Sequence, residues 1–127
     1  MGNSVEYQIT TSVNDGILEV ILTGEVTKGT VEKLAIETAA IVIENGSKNI
    51  LVDIRTLKGR LGVFETYAIV RNPYDKPKVN CAVVDLPENV ESIRFLETTS
   101  LNAGLLLKTF IDMDAAKAWL KGIKEKR

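Results

Sequence analysis

Apolar and polar residues alternate at the start of the chain. Val5, Tyr7, Ile9 and Val13 share one parity, and Leu18, Val20 and Leu22 share the parity of a second run. Asn14-Asp15-Gly16 lies between the two runs. Period-two patterning on both sides of Asp-Gly predicts a β-hairpin, because that tight turn needs positive φ and glycine supplies it without a Cβ clash. The period then changes. Val31, Leu34, Ala35, Thr38, Ile41 and Val42 recur at helical spacing, with Thr27 or Thr30 able to cap the start and Gly46 placed to end the helix. A helix over 27–45 follows. Ile36 and Ile43 fall off that stripe. They either widen the core face, the plainer reading, or form a patch for a partner, a symmetric homodimer included.

Beyond this point the apolar runs are continuous. Ile50, Leu51, Val52 and Ile54 surround one acid, Asp53, and a second run occupies 78–84. A third covers 105–111. Uninterrupted apolar strands are buried on both faces, as in a parallel sheet. Residues 55–62 read as a loop, 63–71 as a short helix stopped before Pro73, and 87–103 as a helix opened by Pro87 and closed at Gly104. A last helix runs through Ala116, Trp119 and Leu120, capped by Asp112 or Asp114, while Asp85 reads as a cap for the helix before it. The order is β-β-α-β-α-β-α-β-α. It predicts an α/β fold in a single domain over 1–127, with a mixed, mostly parallel sheet flanked by helices.

Composition narrows the chemistry. The chain has 127 residues, enough for one core and too few for two ordinary domains. It contains no histidine, which excludes Ser-His-Asp and Cys-His catalysis and imidazole metal sites within it. Its one cysteine, Cys81, sits in an apolar run and reads as a small buried hydrophobe. Sixteen basic residues against seventeen acidic ones leave a net charge of −1, and aromatics do not interleave with a basic stripe, so no nucleic-acid partner is expected. Residues 1–6 carry neither a cationic start nor an apolar signal core, and no run reaches the ~18–20 residues that span a bilayer. The expectation is a cytoplasmic protein. No cofactor fingerprint is present, neither G-x-G-x-x-G nor G-x-x-x-x-G-K-[ST], and none of the acids stand at a fixed acid/base spacing.

One segment stands out. Arg55, Lys58 and Arg60 fall within six residues, ahead of the 63–71 helix whose N-terminus favours an anion. Leu57, Leu61, Phe64, Tyr67 and Val70 supply an apolar cluster beside them. In a parallel sheet this segment emerges at the carboxyl ends of the strands, where ligands bind. Two readings stand side by side. Arg55, Lys58, Arg60, Phe64 and Tyr67 bind an amphipathic or anionic small ligand such as a lipid, or the cations are solvated and the apolar residues cover the sheet. An enzyme would have its best seat at Asp53, Arg55 and Glu97, if folding gathers them.

The order of elements and three stretches resemble the SpoIIAA-like branch of STAS-domain proteins. These are Asn49-Ile50-Leu51-Val52-Asp53-Ile54-Arg55, then 95–104 (Phe95-Leu96-Glu97-Thr98-Thr99-Ser100-Leu101-Asn102-Ala103-Gly104), then 110–120 with its Trp119-Leu120 ending. The resemblance spans about 5–120 and marks fold more than activity. It implies a non-enzymatic module without cofactor that binds a regulatory protein partner. Relatives of this type are switched by phosphorylation of a serine in an Asp-Ser-Ser-Gly-like motif. The matching stretch here, Lys58-Gly59-Arg60-Leu61-Gly62-Val63, contains no serine. The branch with the Trp119-Leu120 ending is also similar in fold to CRAL-TRIO lipid-binding domains, which implies an apolar cavity and peripheral membrane contact.

Overall fold

A computed structural model describes residues 7–27, 29–58, 79–94 and 105–125. Strands β1 (Tyr7–Asn14) and β2 (Ile17–Glu25) form the expected antiparallel hairpin, with Asn14 opposite Ile17. Asp15 at φ 56° and Gly16 at φ 77° make its turn, the positive-φ pair that matches strand twist. Helix α1 (Val31–Asn45) follows and ends on Gly46 at φ 75°, whose N–H donates to the Val42 carbonyl. Thr30 occupies the cap position, but its side chain does not cap. Its hydroxyl accepts instead from the Thr27 N–H at 2.9 Å.

Strands β3 (Asn49–Asp53), β5 (Val79–Val84) and β6 (Leu105–Phe110) fall where the apolar runs place them. The sheet order is β1-β2-β3-β5-β6, and every pairing after the hairpin is parallel. The α/β architecture with a mixed, mostly parallel sheet is therefore observed. Helix α2 (Pro87–Arg94) packs beside β6, and α3 (Met113–Glu125) packs across β5, β3 and β6. The expected helix over 63–71 and the later part of 87–103 lie outside the described residues.

The loop reading of 55–62 needs correction. Leu57–Lys58 forms a short strand, β4, parallel to β2, with Leu57 opposite Gly24 and Lys58 opposite Glu25. Leu57 N–H reaches back to the Ile54 carbonyl at 3.1 Å, so the chain makes one turn after β3 and rejoins the sheet. Two residues carry no period, so alternation could not reveal them. Leu57 is buried in the core.

Burial explains why the central strands lack alternation. One face of the sheet, with Leu18, Val20, Ile50, Val52, Cys81 and Val83, is covered by Leu34 and Val42 of α1. The other, with Ile17, Leu51, Ala82 and Val84, is covered by Ala116 and Leu120 of α3. Each fully buried aliphatic side chain contributes roughly 1.5–3 kcal/mol of transfer free energy, so the frame is rigid where both faces are filled. Cys81 sits buried inside this core. Ile36 and Ile43 do not: they are 48% and 71% exposed. The broad core face expected of them is wrong, because α1 turns Leu34, Thr38 and Val42 to the sheet and leaves the opposite ridge outside.

Candidate functional site: the carboxyl-end rim of the sheet

Parallel register brings the ends of three strands together. Asp53 lies opposite Val84, and Val84 opposite Phe110. One residue further, the Ile54 N–H donates to the Val84 carbonyl at 3.0 Å and the Asp85 N–H to the Phe110 carbonyl at 2.9 Å. Ile54, Asp85 and Ile111 therefore form the next row. The first two are fully buried, and Ile111 is 56% exposed. Arg55 and Asp112 follow directly, so the rim is assembled from segments nearly sixty residues apart in sequence.

Asp53 and Arg55 form its centre. Arg55 donates from Nε to Asp53 Oδ1 at 3.0 Å and from Nη2 to Oδ2 at 2.9 Å, and its backbone N–H also donates to Oδ1 at 3.0 Å. This is the bidentate fork that guanidinium geometry allows and ammonium does not. The pair is lopsided: the Arg55 side chain is 41% exposed and that of Asp53 only 11%. Burial by itself pushes the Asp53 carboxyl up, but the side-chain hydrogen bonds, the backbone bond and the charge of Arg55 together outweigh it and hold the carboxyl below its usual value. The Arg55 guanidinium is in turn pushed up, first by its hydrogen bond to Asp53 and by that charge, with a smaller contribution from Asp112. Arg55 thus senses carboxylates from β3 and from the start of α3.

Asp112 has a second task. Its Oδ2 accepts the Ala115 N–H at 2.9 Å, which makes it, and not Asp114, the cap of α3. Asp85 is fully buried, and its Oδ1 accepts the Leu86 N–H at 2.7 Å. It lies two residues before Pro87, the first residue of α2.

Of the five residues assigned to a ligand site, Arg55 and Lys58 are placed on this rim. Arg55 is held by Asp53. Lys58 is exposed on β4, and its carbonyl accepts the Val26 N–H at 3.0 Å. Arg60, Phe64 and Tyr67 lie outside the described residues, as do Leu61, Val70 and Glu97. Sequence reasoning missed Ile111 and the electrostatic role of Asp112. The signal was faint: one apolar residue beyond the last strand, followed by an acid already accounted for as a cap. Among the described residues no group of three or more His, Cys, Asp or Glu side chains is arranged to hold a metal ion. No helix of the described residues is long and apolar enough to cross a membrane.

Element order, register and the rim at the carboxyl ends define a SpoIIAA-like, STAS-type fold. The chain is similar to the crystal structure of an anti-sigma factor antagonist from Mycobacterium paratuberculosis, with TM-score 0.64 and 14% identity over 91% of this chain and 94% of that one. It is also similar to an uncharacterised protein of the DUF3478 family with a SpoIIAA-like fold from Shewanella loihica PV-4, with TM-score 0.59 and 17% identity over 94% and 98% of the two chains. No family profile matches the sequence, and no curated protein matches it.

Proposed function

We propose that this chain is a non-enzymatic regulatory module, one domain over 1–127, which binds a protein partner through the carboxyl-end rim of its sheet. The observation that carries this reading is the Asp53–Arg55 fork at the end of β3, on the same sheet edge at which β6 ends in the exposed Ile111. An arginine oriented by a buried carboxylate, with an apolar side chain exposed on the same edge, matches the composition of protein interfaces, where arginine is enriched and lysine depleted. The likeness in fold to an anti-sigma factor antagonist supports a regulatory role of this kind. Since 58–63 holds no serine, control by phosphorylation at the family's usual place is not part of the reading.

A lipid headgroup or small anion at 55–71 is the second reading, and the exposed ammonium of Lys58 is what favours it. Arg55 weakens it, because an anion would have to compete with Asp53 for the same N–H groups. Two measurements separate the readings. Affinity capture with wild-type and Ile111→Glu bait is expected to recover a protein that the variant loses. Native mass spectrometry, followed by titration with anionic phospholipid vesicles, is expected to show bare protein and no binding. Equal capture by both baits, or retained lipid released by Lys58→Glu, overturns the protein-partner reading.

A further inference from the structure

Helix α1 carries two apolar faces, and the sheet uses only one. At 3.6 residues per turn, Leu34, Thr38 and Val42 stack toward the core. Ile36, Ala40 and Ile43 stack on the opposite ridge, and all three are exposed. An amphipathic surface helix places charged residues on that side, so this ridge departs from what solvent contact alone favours. Ala40 sits at its middle, where a small side chain permits close approach of another helix. The ends of the ridge differ in charge: Lys33 stands at the N-terminal end and Glu44 at the C-terminal end, both exposed. Glu37, on the flank, is turned toward the sheet, where it accepts the Tyr7 hydroxyl at 2.6 Å.

That arrangement is complementary to itself when reversed. We propose that α1 pairs antiparallel with α1 of a second copy, making a two-fold dimer in which Ile36 and Ile43 of each copy pack around the two Ala40 residues. In this register Lys33 of one copy lies within reach of Glu44 of the other, twice by symmetry. The same two helices laid parallel would instead set Lys33 against Lys33 and Glu44 against Glu44, and their dipoles would oppose the pairing. The ridge lies on the side of α1 opposite the face packed on the sheet, and none of its residues is one assigned to the Asp53–Arg55 rim. The proposal does not depend on what the rim binds.

Sedimentation velocity on the full chain, from micromolar to near-millimolar concentration, tests it. A concentration-dependent dimer is expected, and Ile36→Lys with Ile43→Lys is expected to leave only monomer. Because both residues are exposed, the thermal melt of this variant reports directly that the fold is intact. Lys33→Glu and Glu44→Lys are each expected to weaken association about tenfold by setting like charges opposite one another, and the combined swap to restore it. Monomer at every concentration overturns the proposal. So does a dimer that ignores the two lysine substitutions, or a combined charge swap that fails to recover the affinity lost by either single change.

Discussion

Replacing Arg55 by alanine probes the rim at its most lopsided contact. The substitution removes the Nε and Nη2 donors from Asp53 but keeps the backbone N–H, which donates to Oδ1 at 3.0 Å. What remains is a carboxylate with an 11% exposed side chain and one of its three donors. Net hydrogen bonds to charged groups are worth about 1.5–3 kcal/mol, and the exposure of Arg55 discounts that figure because water already competes for its guanidinium. A loss of about 1–2 kcal/mol at neutral pH follows. Urea denaturation measures it as a lower midpoint at unchanged slope. The pH dependence is the sharper part. In the wild type the Asp53 carboxyl is held below its unfolded value, so its stabilising contribution is present above about pH 4 and is lost as pH falls through the lower folded-state value. In the variant, burial acts without the guanidinium and pushes the carboxyl up. Its ionised form then opposes folding near neutrality, and protonation relieves that penalty in acid. The stability gap between wild type and Arg55→Ala is therefore widest near neutral pH and closes below about pH 4. A gap that stays constant across this range, or a variant as stable as the wild type, refutes the assignment of Arg55 as the group that holds Asp53 ionised.

Three further outcomes test the frame. The Thr38 hydroxyl is buried with no hydrogen-bond partner among the described residues, so Thr38→Val is expected to stabilise the protein by about 1 kcal/mol, read as a higher urea midpoint. Gly46→Ala meets no atom within 4 Å but forces a side chain into φ 75°, so it is expected to cost about 1–2 kcal/mol from the backbone alone in the same assay. Leu120 is fully buried between α3 and the sheet, and Leu120→Ala is expected to cost about 2–5 kcal/mol, seen as a lower melting temperature in calorimetry.

The elements that sequence disclosed are those whose cause is local. The Asp15-Gly16 turn follows from the φ it needs, the end of α1 follows from Gly46, and β3, β5 and β6 follow from unbroken apolar runs. Strand β4 escaped because two residues have no period, and its place is set by a hydrogen bond from Leu57 back to Ile54. The core stripe of α1 was legible as Leu34, Thr38 and Val42, but that Ile36 and Ile43 stay outside it depended on tertiary packing. At the rim, Arg55 was legible as a charge neighbour of Asp53 because the two lie in one turn. Asp112 and Ile111 were not, since their approach is fixed by the β3-β5-β6 register, a property of three distant segments read together.

That register also limits what the rim can recognise. A free arginine attracts any anion, whereas a guanidinium bound at two nitrogens by a buried carboxylate has most of its charge answered from within. An incoming anion gains only the difference between its own contact and the one it displaces, and displacement leaves Asp53 buried without its fork. That exchange is unfavourable unless the newcomer also covers Ile111 or supplies a donor to Asp53. A small phosphate does neither. A protein surface that offers an apolar side chain and a hydrogen-bond donor at fixed spacing does both, and it can engage the outer edge of the guanidinium without breaking the fork. On the proposed reading the rim selects for shape and directed hydrogen bonds over net negative charge, and its complexes are expected to weaken only slightly as salt is raised, in contrast to the steep salt dependence of a phosphate-binding cluster.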